Sequence, residues 1–276
     1  MLFEIQISNL ITHTRASPNP KTLRLFNSQT PNPVSRTQKK NKMNFLQAEW
    51  RKLAIINYEI DPEVLMKYLP EGTELDFYHG KCYVSLVGFM FLNTKLLGLS
   101  IPFYRNFEEV NLRFYVKKKE KNTWKRGVVF IKEIVPKYAL SFVANSFYRE
   151  NYKTMPMNNE IKVNGDELTV KYTWKDKSWH SIQITADSKA VAMKNDSEFE
   201  FITEHYFGFT KREHKTSEYE VCHPKWEHYP IKEYKLDIEF NALYGKDFEF
   251  LNKQEPISVM LAEGSEIEVK TKKYIM

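Results

Sequence analysis

Glu109, Asn111, Arg113 and Tyr115 alternate with Val110, Leu112, Phe114 and Val116 in one uninterrupted stretch. A period of two puts the four polar side chains on one face of a strand and the four apolar ones on the other. A carboxylate, an amide and a guanidinium in one row can hydrogen-bond each other or hold a small polar molecule. On a solvent face they are an ordinary polar strand surface; in an interior they must find partners. Two lysines are weaker candidates for chemistry, Lys132 and Lys153. A lysine nucleophile needs its amine neutral, so its pKa must fall well below ~10.4 through burial or a nearby cation. Lys132 stands directly before Glu133 in the strand-like VVFIKEIV, where the two point to opposite faces. An exposed Lys-Glu pair at a strand end is the simpler reading there, and no Lys or Arg lies two residues away to depress the amine. Lys153 has only Arg149 near it in sequence.

Signature loops are missing. The chain has no G-x-G-x-x-G, no G-x-x-x-x-G-K-[ST], no G-x-S-x-G and no H-E-x-x-H. Seven histidines invite a metal reading, above all His223 and His228. Pro224 after His223 disfavours the helix that would set spaced histidines on one face, and no cysteine pair completes a tetrahedral zinc set. No metal and no cofactor is expected.

The elements that must position these residues are strands. The 276-residue chain carries 19 Phe, 16 Tyr and 5 Trp and is 42% hydrophobic, too apolar for disorder over most of its length. Trp50–Ile60 has mixed apolar content and ends at Asp61-Pro62, a helix cap and first-turn signal. Val64, Leu65, Tyr68 and Leu69 then share one face of a short helix stopped by Pro70 and Gly72. Strands are expected at Glu74–Tyr78 and from Lys81 to about Leu92, the latter apolar on both faces and so buried on both. Val110–Lys118 and Gly127–Pro136 form an antiparallel pair whose solvated end holds the charged run Lys117–Lys121. A helical spacing follows between Lys137 and Arg149. Asn164-Gly165 signals a type I′ hairpin between Glu160–Val163 and Glu167–Trp174. Further strand-like runs cover Trp179–Asp187, His205–Lys211, Tyr219–His223, Tyr234–Phe240, Ile257–Glu263 and Glu266–Lys272. Recurrent turns without β-α-β alternation favour a mostly antiparallel barrel or sandwich with a few helices.

Charge is confined to one end. Residues 1–42 hold seven Lys and Arg against Glu4 alone, which accounts for the whole net charge of +6 and leaves the remainder balanced. A nucleic-acid module keeps its basic surplus on the folded part, so no nucleic-acid partner is expected. The same 42 residues are rich in Ser, Thr, Asn, Gln and Pro. They read either as an organellar transit peptide without a convincing amphipathic face, or as sequence upstream of a start at Met43. The second is expected, with residues 43–276 as one domain. No run approaches the ~18 apolar residues of a membrane span, so no membrane partner is expected. Cys82 and Cys222 make no disulfide framework, and no secretory leader is visible, which points to the cytoplasm.

The stretch WRKLAIINYEIDPEVLMKYLPEGTELDFYHGKCYVSLVGFMF resembles the opening of the YqjF-like family of uncharacterised proteins, through Trp50, Pro62, Leu69, Pro70, Gly72, Glu74, Asp76, Gly80, Val84, Val87 and Phe89. A second block, Phe-x-Glu-x-Asn-x-Arg-x-Tyr-Val then Gly-Val-x-Phe, is similar at Phe107, Glu109, Asn111, Arg113, Tyr115, Val116, Gly127, Val128 and Phe130. A third covers Thr203, Glu204, His205 and Tyr206, and a fourth is the His-Pro-x-Trp at His223, Pro224 and Trp226. The resemblance implies a fold akin to acetoacetate decarboxylase: a mainly β, α+β domain built as a closed antiparallel β-barrel with flanking strands, a few short helices and a central apolar cavity. It implies a small carbonyl-bearing or apolar ligand held by Glu109, Asn111, Arg113, Tyr115, His205, His223 and Trp226, with no established reaction. The decarboxylase uses a Lys beside a second Lys to form a Schiff base; no such pair follows the Tyr138–Arg149 segment here. A non-catalytic structural or interaction protein with a buried polar network fixing strand register is the alternative reading, and a decarboxylase-like Schiff-base enzyme is the second.

Overall fold

The computed structural model describes residues 44–100, 102–136, 151–211 and 215–275. The expected helix between Lys137 and Arg149 and the segment 1–42 lie outside the described residues. In chain order the strands are β1 (Asn44–Glu59), β2 (Glu74–Leu75), β3 (Tyr83–Leu96), β4 (Leu99–Ser100), β5 (Phe107–Glu120), β6 (Thr123–Val135), β7 (Tyr152–Thr154), β8 (Met157–Asn164), β9 (Glu167–Lys175) and β10 (Trp179–Asp187). They continue as β11 (Phe207–Lys211), β12 (Thr216–Cys222), β13 (Ile231–Asp237), β14 (Ser258–Lys270) and β15 (Lys273–Ile275). Among the described residues three short helices join them, α1 (Pro62–Met66), α2 (Glu198–Thr203) and α3 (Phe240–Tyr244), with a 3₁₀ helix at Lys246–Lys253.

Eleven strands form one large sheet, running β2-β5-β3-β1-β14-β12-β11-β6-β7 with β4 and β15 at its side. A separate four-stranded antiparallel sheet has the order β13-β10-β9-β8. The expected closed antiparallel barrel is therefore corrected to an α+β fold with a large, mostly antiparallel sheet. The β5–β6 hairpin folds that sheet back on itself, but the antiparallel ladder does not close. At the joint, β6 runs parallel to β11 and meets it over two residue pairs, Phe207↔Gly127 and Gly208↔Val128. Beyond it, β6 is parallel to β7 as well, and the path ends there. Gly127 makes the joint possible: a Cβ there would stand 2.4 Å from the Phe207 carbonyl oxygen.

Each face of the large sheet has its own core. On one, Val84, Leu86, Val110, Leu112, Phe114 and Val116 pack against Leu168, Val170, Tyr172, Trp174, Ile182 and Ile184 of the small sheet. The clean alternation of buried and part-exposed residues along β9 and β10 shows that sheet covering the large one with a single face. On the other face Leu53, Ile55, Val87, Phe89, Tyr115, Phe201, Trp226 and Met260 cluster together. Because β3 serves both cores, Tyr83 to Phe91 is buried without interruption, as its two apolar faces require.

Local signals hold with adjusted bounds. Asp61 caps α1 by accepting from the Glu63 N–H at 3.0 Å, yet the helix stops at Met66, short of the apolar pattern. The strand expected over Glu74–Tyr78 is two residues long. The β8–β9 hairpin forms with Asn164 paired to Glu167, so its two-residue loop is Gly165-Asp166 and not Asn164-Gly165. Only Gly165 there has a positive φ, 61°, which is the type II′ pattern. The runs at Ile257–Glu263 and Glu266–Lys272 are one strand, β14, continuing through Gly264 at φ 80°.

Candidate functional site

On β5 the period of two does what the alternation requires: Glu109, Asn111, Arg113 and Tyr115 lie on the face opposite Leu112. That face is interior, with Glu109 3%, Asn111 1% and Arg113 7% exposed. Register carries their row across the sheet. Asn111 stands between Val87 on β3 and Glu133 on β6, and Glu133 stands beside Tyr152 on β7. The reading of Lys132-Glu133 as an exposed strand end is overturned, because Glu133 is 2% exposed and faces the polar row. Asn111 Nδ2 donates to Glu109 Oε1 at 3.0 Å, and the Tyr152 hydroxyl donates to Glu109 Oε2 at 3.3 Å. Burial pushes the Glu109 carboxyl up to about 7, against the downward pull of those two bonds and of the Arg113 charge.

Arg113 itself is not tied into this network. Its Nε has no hydrogen-bond partner among the described residues, and it acts on Glu109 through space only. The guanidinium carbon lies 5.8 Å from the centre of the Tyr115 ring. The next row is satisfied internally. The Tyr115 hydroxyl meets Ser85 Oγ at 2.7 Å, Ser85 donates to Asn57 Oδ1 at 2.5 Å, and Asn57 donates to Ser258 Oγ at 2.9 Å. Ser258 in turn donates to Glu198 in the first turn of α2. Ser197 caps that helix by accepting from the Glu200 N–H. The chain of bonds thereby fixes α2 on this face, and α2 delivers His205.

The His205 ring packs 4.8 Å from Tyr115 and 5.1 Å from Phe201. Its Nε2 lies 3.2 Å from Asp76 Oδ2, which also accepts from Arg126 Nε at 2.7 Å. Burial raises the Asp76 carboxyl, but the bonds from His205 and Arg126 outweigh it and hold it below its ordinary range. Burial pushes His205 down to about 4, so its ring is neutral at pH 7. His205 Nδ1 has no partner among the described residues. Farther along the face, His223 stacks on Trp226 at 4.2 Å and on Tyr206 at 4.7 Å, and Trp226 Nε1 donates to Ser265 Oγ. Burial lowers His223, and the Arg113 charge adds to the shift.

The structure thus brings Glu109, Asn111, Arg113, Tyr115 and His205 together, with His223 and Trp226 beyond them. It keeps the lysines apart. Lys132 pairs with Leu112 on the opposite face, where its amine donates to the Leu243 carbonyl oxygen and lies 5.6 Å from the Tyr244 ring centre. Burial lowers its pKa, and the charge of Lys153 lowers it further, so a neighbouring cation does exist across β6 and β7. Sequence reasoning missed Glu133, Tyr152, Asp76, Ser85 and Asn57 as members of the site. The available signal was a charged or amide residue within an apolar strand, at Asn57 and at Glu133.

Residues 47–266 match DUF2071, a family described as an uncharacterized conserved protein. The chain belongs to this family. The uncharacterized protein YqjF of Bacillus subtilis (strain 168) is 26% identical over 181 residues, 64% of this chain and 72% of that protein. Among solved structures, acetoacetate decarboxylase from Legionella pneumophila aligns with a TM-score of 0.58 at 15% identity, covering 97% of this chain and 95% of the other. The enduracididine biosynthesis enzyme MppR with HEPES bound reaches 0.59 at 12% identity, over 92% and 98%. An acetoacetate decarboxylase-like enzyme from Sphingomonas wittichii RW1 reaches 0.58 at 10%, over 90% and 100%. At these identities the likeness is one of fold alone. No helix among the described residues is long and apolar enough to cross a membrane.

Proposed function

We propose that the Arg113 face binds a small molecule whose carboxylate pairs with the guanidinium. The observation that carries this reading is a buried arginine beside the Tyr115 ring whose Nε is unpartnered among the described residues. Buried polar groups find hydrogen bonds, and a buried cation needs an anion, so such a group is completed by something the described residues do not supply. A register-fixing network would instead pair Arg113 with Glu109, and that pairing is not made. Two structural relatives support the class of ligand: one is an acetoacetate decarboxylase, and MppR is known in complex with pyruvate. Lys132, its amine held by Leu243 on the other face, supports no Schiff base with a ligand at Arg113. Two free cysteines suit a cytoplasmic protein.

Thermal denaturation with pyruvate, acetoacetate, butyrate and neutral acetone tests the reading. The carboxylates are expected to raise the Tm of the wild type and acetone to leave it unchanged, with the carboxylate effect lost in Arg113→Gln. Equal shifts for acetone and the acids, or none for any of them, would defeat it.

A further inference from the structure

Among the unpartnered polar atoms of the described residues on the Arg113 face, which also include Trp50 Nε1 and Ser217 Oγ, three belong to the predicted ligand-holding set: Arg113 Nε, Asn111 Oδ1 and His205 Nδ1. Each belongs to a residue more than nine-tenths buried. What each one lacks can be read from its bonds. Asn111 gives its Nδ2 to the Glu109 carboxyl, so its amide orientation is set and its open atom is an acceptor. His205 faces Asp76, an ionised carboxylate that can only accept. The single proton of the neutral ring therefore sits on Nε2, and Nδ1 presents a bare lone pair. The unmet inventory is one cationic donor and two neutral acceptors.

An oxo acid answers only the first of these, because its carbonyl and carboxylate oxygens all accept. A hydroxy acid answers both kinds of need, its carboxylate meeting the cation and its single hydroxyl proton meeting one of the two acceptors. An amino acid is disfavoured, since its ammonium would enter a region where His205 already feels the charges of Arg126 and Arg113. We propose that the ligand is a small hydroxy acid, its carboxylate on Arg113 and its hydroxyl donating to His205 Nδ1 or Asn111 Oδ1. Arg113 and His205 both lie beside the Tyr115 ring, 5.8 Å and 4.8 Å from its centre. Asn111 is two residues from Arg113 on the same strand face. This assignment rests on the carboxylate reading of Arg113.

Titration calorimetry of the full chain at one pH with 3-hydroxybutyrate, acetoacetate and butyrate tests it without any substitution. The expected order is 3-hydroxybutyrate about ten-fold tighter than either of the others, the factor one buried hydrogen bond supplies. In His205→Phe and, separately, Asn111→Leu, the preference over butyrate is expected to shrink in at least one variant while butyrate affinity stays the same. Acetoacetate binding as tightly as 3-hydroxybutyrate, or butyrate doing so, overturns the hydroxyl assignment and leaves the carboxylate site standing. No binding by any of the three overturns both.

Discussion

At the scale of single residues, Arg113 and Glu109 are both buried, and the arginine eases the carboxylate's charge through space alone. The sequence pattern suggests that a carboxylate, an amide and a guanidinium satisfy one another, and that removing the arginine then costs ~3–5 kcal/mol by stranding a carboxylate. The observed geometry reverses the sign, because Arg113 is a buried cation with no ion pair among the described residues. Arg113→Met is expected to raise the unfolding free energy of the unliganded protein by ~1–3 kcal/mol while abolishing carboxylate binding. Denaturant midpoints measure it, and a loss of stability would show that Arg113 has a partner after all. Glu109 gives a pH signature. Its folded pKa of about 7 exceeds the ordinary 4.5, so the fold holds this proton more tightly than the unfolded chain does. Stability contributed here therefore falls as pH rises from 4.5 to 7. Glu109→Gln is expected to melt higher than wild type at pH 8 and to converge with it at pH 4.5. The shared face of these residues was legible from period two alone. Their pairing was not, since it depends on Glu133, Tyr152 and Asp76, which reach them only through tertiary register.

Among elements, legibility followed regularity. The β5–β6 hairpin, the helix cap at Asp61 and the two buried faces of β3 repeat what the apolar spacing says. β1 escaped because it does not alternate cleanly: Lys52 has a φ of 55°, and the register with β3 shifts between Arg51 and Ala54. Such a bulge turns the faces of a strand over and hides its period. The helices α2 and α3 are five or six residues long, too short to show a helical repeat. The parallel contact between β6 and β11 had no sequence signal beyond Gly127 itself. A Cβ at that position meets backbone, which cannot rotate away, so Gly127→Ala must push the two strands apart. A loss of ~1–3 kcal/mol is expected, together with weaker ligand binding, because Phe207 lies two residues from His205. Urea midpoints and the butyrate affinity check both; an unchanged midpoint would mean that the joint carries no strain-sensitive packing.

For the molecule as a whole, stability is spread unevenly along the sheet. The β1–β14 ladder runs over twelve residue pairs and β5–β6 over eleven, whereas β6 and β11 share two. Local opening starts where the fewest backbone bonds must break. Amide hydrogens at Gly127, Val128, Phe207 and Gly208 are therefore expected to exchange with solvent deuterium well before those of β1. A ligand held by Arg113 on β5 and by His205 just ahead of β11 would span that weak join from both sides. Occupancy should then appear as slowed deuterium uptake at the join and nowhere in the small sheet. Were a small acid to bind there, the two-pair contact is where its presence would be read most sharply, because so few backbone bonds are there to mask the change.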